Sequence, residues 1–149
     1  MSVSYDVFTS AFLDKILEYD FINMDEQFRM DMIDGYMKRA ISEFRWISLY
    51  DFVGTADDDD REFDVDVEDE DLDEIVDIVS EGMVVQWLKP FLYHQDSLIG
   101  VLNTKDFTTY SRAELLLRIG NAHTDARKHF TRKMRHYSYN HGDLTDLHT

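Results

Sequence analysis

Carboxylates are the one group dense enough in this chain to suggest chemistry. Asp57, Asp58, Asp59 and Asp60 are adjacent, and Asp64, Asp66 and Glu68 follow closely. Asp57, Asp59, Asp64, Asp66 and Glu68 offer hard oxygen ligands of the kind that hold Ca²⁺ or Mg²⁺. The spacing of an EF-hand is absent, because no twelve-residue window that starts on these aspartates has glycine at its sixth position. The simpler reading is a solvated acidic face, since adjacent carboxylates repel one another and cannot share a core. His129 and His136 are seven apart and could share a helix face, but two histidines without a third ligand make a poor zinc site. There is no cysteine, which excludes disulfides and thiol catalysis. With no G-x-S-x-G, P-loop, H-E-x-x-H or glycine-rich dinucleotide turn, no enzyme, metal or cofactor is expected.

Charge is more informative than any motif. The formal net charge is −16 over 149 residues. Residues 51–81 contain sixteen acids and one base, so they carry nearly all of it. By contrast, residues 112–135 contain seven bases, Arg112, Arg118, Arg127, Lys128, Arg132, Lys133 and Arg135, against Glu114 and Asp125. The chain is thus a charge dipole along its sequence. Phosphate would be repelled by the acidic part, which makes free nucleic acid a poor ligand for it. The basic part could meet phosphate, or an acidic segment of this or another copy.

These groups must be positioned by helices. The length suits one domain, and no run of 18 apolar residues or signal-like N-terminus is present, so a soluble, unsecreted protein is expected without membrane contact. A first helix is expected over residues 5–18, with Phe8, Phe12 and Ile16 in its stripe, and a second over 25–47, through Phe28, Met32, Ile33, Tyr36, Met37, Ala40, Ile41 and Phe44. Arg61 to Glu68 alternates apolar and charged residues, with Phe63, Val65 and Val67 on one side, as a half-buried strand does. It would pair with the stretch near 49–53 or with a neighbouring molecule, as a protruding extended arm or hairpin. Acids at 69–74 open a third helix whose stripe is Leu72, Ile75, Val76, Val79, Met83 and Trp87. Pro90 should break or kink it.

The last helix organises this expectation. Ser111-Arg112-Ala113-Glu114 has the form of a capping box. Leu115, Leu116, Ile119, Ala122, Ala126, Phe130, Met134 and Tyr137 then form a continuous stripe on a helix of roughly 27 residues, about 40 Å. The pattern stops there, and the tail has turn formers with too much tyrosine and leucine for an ordinary solvated end. It reads as an arm that meets a partner through Tyr137, Tyr139, Asn140, His141, Asp143, Leu144 and Leu147. The expected fold class is therefore all-α: three to four helices with a kinked third, an acidic extended insertion at 51–68, a single helical domain over 1–138 and a docking arm over 139–149. Trp46 and Trp87 read as core or interface anchors.

That architecture resembles the head-completion, or adaptor, proteins of tailed bacteriophages. The stretches Glu81-Gly82-Met83-Val84-Val85-Gln86-Trp87-Leu88-Lys89-Pro90, Leu102-Asn103-Thr104-Lys105-Asp106-Phe107-Thr108-Thr109-Tyr110-Ser111 and Tyr137-Ser138-Tyr139-Asn140-His141-Gly142-Asp143-Leu144 are similar to structural proteins encoded among phage head and tail genes. The resemblance implies a virion protein at the head–tail interface, assembled in the host cytoplasm as a homo-oligomeric ring of twelve. Such a ring would join the portal to a neighbouring neck or tail protein and let double-stranded DNA pass without sequence-specific binding. In a ring, a head-to-tail interface could place Arg127, Lys128, Arg132, Lys133 and Arg135 against acids of the next copy. Asp57, Asp58, Asp59, Asp60, Asp64, Asp66 and Glu68 would then line the channel or the acidic arm, where carboxylates repel phosphate.

Two readings from other classes use the same residues. A regulator that mimics nucleic acid would present the acids to a basic protein groove. A metal-dependent enzyme would need them to converge in a pocket.

Overall fold

A computed structural model describes residues 2–17, 30–93 and 112–141. Within them the chain runs β1 (Val3–Ser4), α1 (Tyr5–Ile16), α2 (Met30–Phe44), β2 (Ala56–Asp57), β3 (Glu62–Phe63), α3 (Asp69–Tyr93) and α4 (Arg112–His141). It is a mostly helical bundle with one small sheet. The expected starts of the second helix, at 25–29, and of the last, at Ser111, lie outside the described residues, as do 94–110 and 142–149.

Each helix follows from its stripe. The Ser4 side chain caps α1 by accepting from the Asp6 N–H at 3.1 Å, and Tyr5, Phe8, Thr9, Phe12 and Ile16 are buried at three- and four-residue steps. Ile33, Tyr36, Met37, Ala40, Ile41 and Phe44 do the same for α2. The hub is α3, not the last helix, because α3 lies against α1, α2 and α4. Its residues 82–88 are all buried, including Gln86. A helix apolar nearly all round belongs inside, and a single stripe understates it. α3 continues through the exposed Pro90 to Tyr93 rather than ending at Lys89.

Gly82 sets how closely three helices approach. A Cβ there would stand 2.7 Å from Phe130 Cζ on α4 and 2.8 Å from Ala40 Cβ on α2. No other residue type leaves room for both neighbours.

The acidic insertion does form a hairpin, but a short one with other partners: only Glu62 and Phe63 pair, antiparallel to Ala56 and Asp57 rather than to 49–53 on one side, and to Val3 and Ser4 on the other. The strand order is β1-β3-β2, so the hairpin is stitched onto the start of α1. Burial is the physical reason. Phe63, 1% exposed, sits with its ring centroid 4.7 Å from Tyr5, 5.2 Å from Phe52 and 5.7 Å from Phe8. Aromatic burial on this scale holds the hairpin on the bundle, and Val65 and Val67 also lie against the core.

Candidate functional site

The acidic hairpin is shaped by its own carboxylates and by one base. Asp57 Oδ1 accepts from the backbone N–H groups of Asp59 and Asp60, which turns the loop locally. Arg61 then sits at φ 52°, a left-handed conformation unusual for a non-glycine residue. Its surroundings hold it there. Nε and Nη2 donate to the two oxygens of Asp34 on α2, each at 2.9 Å, and Nη1 donates to Asp6 on α1 at 2.8 Å. Its carbonyl accepts from the Tyr5 N–H at 2.9 Å. The lone base of the acidic run therefore ties the hairpin to two helices.

Asp58 is exposed but engaged within the chain. Tyr5 Oη donates to it at 2.7 Å and Lys38 Nζ lies at 2.6 Å, and these bonds, that of Lys38 first, keep its carboxyl below the usual range. Burial and the same bond push the Tyr5 phenol well above its ordinary value. Asp57, Asp59, Asp60, Asp64, Asp66 and Glu68 are exposed. Asp57, Asp58, Asp59 and Asp64 line an open depression of about 470 Å³ with Gly54, Thr55 and Ala56, yet among the described residues no three His, Asp or Glu side chains are grouped to hold a metal.

The basic residues of α4 divide into two sets. Arg127 and Lys133, expected at a subunit interface, are engaged within the chain. Arg127 donates to Glu43 on α2 at 2.6 and 3.2 Å, and Lys133 reaches Asp77 at 2.7 Å and Glu81 at 3.5 Å on α3. Lys15 on α1 meets the same two acids at 2.8 and 3.1 Å. Two carboxylates one helical turn apart on α3 thus join α1 to α4 through two lysines. Burial alone would raise the Asp77 carboxyl, but the hydrogen bonds from Lys133 and Lys15 outweigh it and hold it low. Lys128, Arg132 and Arg135 are exposed and have no ion-pair partner among the described residues.

The expected start of the docking arm falls within α4. α4 runs through His141, so the boundary at 138/139 falls inside a helix. Tyr137 is a fully buried core residue, its ring 5.0 Å from Phe44 and its hydroxyl accepting from the Leu49 N–H at 3.2 Å. His141 pairs with Glu74 at 2.8 Å and lies 4.5 Å from the Tyr137 ring, while Asn140 bonds His136 at 3.0 Å. Those contacts carry the helix one turn further than its stripe. Tyr139 is 69% exposed. Asp143, Leu144 and Leu147 lie outside the described residues.

Of the two tryptophans, Trp87 is core, with 3% exposure, and Trp46 is 77% exposed under the Arg45 guanidinium at 4.5 Å. Next to it in sequence, Ile47 helps line a groove of about 380 Å³ with Glu43, Thr131, Met134, Arg135, Ser138 and Tyr139. The groove could not be read from the sequence, because it forms between the end of α2 and the end of α4. Arg61 had one signal, its isolation among acids. Among the described residues no helix is long and apolar enough to cross a membrane. No family model, curated protein or solved structure matches the chain.

Proposed function

We propose that the chain is a structural assembly protein and not an enzyme. In this reading it is a head-completion adaptor of a tailed bacteriophage. As a ring, it joins the portal at the capsid vertex to the tail or the next neck protein and lines the DNA exit channel. The observation that carries this reading is the unequal use of charge. Asp59, Asp60, Asp64, Asp66 and Glu68 stand exposed on and after the hairpin, while Lys128, Arg132 and Arg135 stand exposed along α4. A head-to-tail interface repeated around an axis brings two such unlike surfaces of one protomer together at every contact.

In this reading the stretch 81–90 serves the fold rather than a docking site, since Gly82, Met83, Val84, Val85, Trp87 and Leu88 are core residues of α3. A bend of α3 at Pro90 and a docking arm, now reduced to residues 142–149, belong to the same proposal. The exposed carboxylates would keep duplex DNA from adhering to the channel wall. A nucleic-acid mimic remains the second reading, favoured by the way Arg61 fixes the acidic hairpin in place.

The test is the mass of the full chain by light scattering after size exclusion, alone and with the portal protein of the same genome, at low and high salt. A stoichiometric ring on the portal is expected. A monomer that ignores the portal overturns the adaptor and turns the search to a basic protein partner.

A further inference from the structure

The groove between the ends of α2 and α4 has a definite chemical character. Ile47, Met134 and Tyr139 give it an apolar lining, and Arg135 lines it as well. Glu43, the one acid that lines it, is already engaged by Arg127 at 2.6 Å. Lys128, Arg132, Arg135 and Tyr139 follow at steps of four, three and four, so they share one face of α4 and extend the groove into a basic track. Arg45 and Trp46 precede Ile47 and are both exposed. Exposed Trp, Tyr and Arg around an apolar depression are the residue types that dominate binding hot spots. An occupant should be short and should alternate leucine-sized side chains with carboxylates.

The last eight residues, outside the described ones, have this composition: Gly142-Asp143-Leu144-Thr145-Asp146-Leu147-His148-Thr149. We infer that residues 142–149 of a neighbouring copy dock in this groove, Leu144 and Leu147 on its apolar lining and Asp143 and Asp146 against its arginines. In the ring reading the occupant comes from the next subunit, where the exposed Lys128, Arg132 and Arg135 offer unlike charge to Asp143 and Asp146. This inference rests on the ring reading and names the contact between its subunits.

The test uses the full chain and a fluorescent synthetic peptide of residues 142–149, with binding read by anisotropy and mass by light scattering. The full chain carrying Leu144→Asp and Leu147→Asp should bind the peptide. Arg135→Glu in that background should weaken binding at least tenfold, Tyr139→Ala should do so as well, and added salt should weaken it further. Both substitutions are at exposed positions, and circular dichroism checks that each variant folds. No binding, or binding indifferent to Arg135→Glu, overturns the inference. So does a wild-type chain that stays monomeric yet refuses a peptide the double variant accepts, because its own segment then fills its own groove. No portal protein is present, so failure here leaves portal docking untouched, and failure on the portal leaves this groove untouched.

Discussion

Arg61 holds Asp34 with two parallel bonds of 2.9 Å across 27 residues of sequence, while its backbone sits in a left-handed conformation. The pair does what neither an acidic loop nor a two-residue strand could do alone: it fixes a charged hairpin to α2. Replacing Arg61 with Met should cost about 1–2 kcal/mol, discounted for partial exposure. Arg61→Lys should recover only part, since an ammonium cannot make the fork. Urea midpoints measure both, and a Lys variant equal to wild type would show that charge alone suffices.

Gly82 and Gly35 should respond in opposite directions to alanine. At Gly82 the new Cβ meets Phe130 and Ala40 below 3 Å, so the helices must separate at a cost of about 1–3 kcal/mol. At Gly35 the nearest atom is the flexible Arg39 Nη2 at 3.9 Å, and the helix should gain about 0.5–1 kcal/mol. Thermal melts of the two variants decide it. Equal shifts would mean that helix propensity outweighs contact at both positions.

Tyr137→Phe keeps the ring in the core and removes the acceptor of the Leu49 N–H. The expected loss is about 1 kcal/mol or less, with faster exchange of the Leu49 amide. An unchanged exchange rate would mean that water replaces the hydroxyl without cost.

Stability should fall at both ends of the pH scale. Asp77 has a depressed carboxyl, so its contribution is present above its unfolded value and is lost as pH falls through the folded one, below about pH 4. On the alkaline side the hydrogen bond to Asp71 pushes Tyr50 up to about 12. Burial opposes the Lys133 charge, yet its bond to Asp77 raises that group as well. Both contributions are full below the unfolded values near 10 and decline above them. Tyr50→Phe should flatten the loss between about pH 10 and 12 in urea titrations. The same slope in that variant would remove Tyr50 from the alkaline transition.

Local patterns were legible and distant pairings were not. The stripe from Tyr5 to Ile16 names its own helix, and the acids at 69–74 mark where α3 begins. The alternation around Phe63 is equally plain, yet its partner strand at Val3 and Ser4 lies some sixty residues away and leaves no local trace. The same holds for Arg61, whose partners are 27 and 55 residues distant, and for Lys133, bound to acids on another helix. The end of α4 lies beyond its own stripe because Glu74 on α3 holds its last turn through His141. The groove beside Tyr139 needed two helix ends brought together.

The burial of seven consecutive α3 residues, 82–88, also bears on how the protein comes apart. Among the described helices most of the contact is made on α3, so α1, α2 and α4 have little core to share once it leaves. Partial opening at the periphery can release a helix end, but an opening that bares the middle of α3 dissolves the whole bundle. The amides there should be the slowest to exchange, and their exchange should report the stability of the entire domain. Such a domain unfolds as a single cooperative unit.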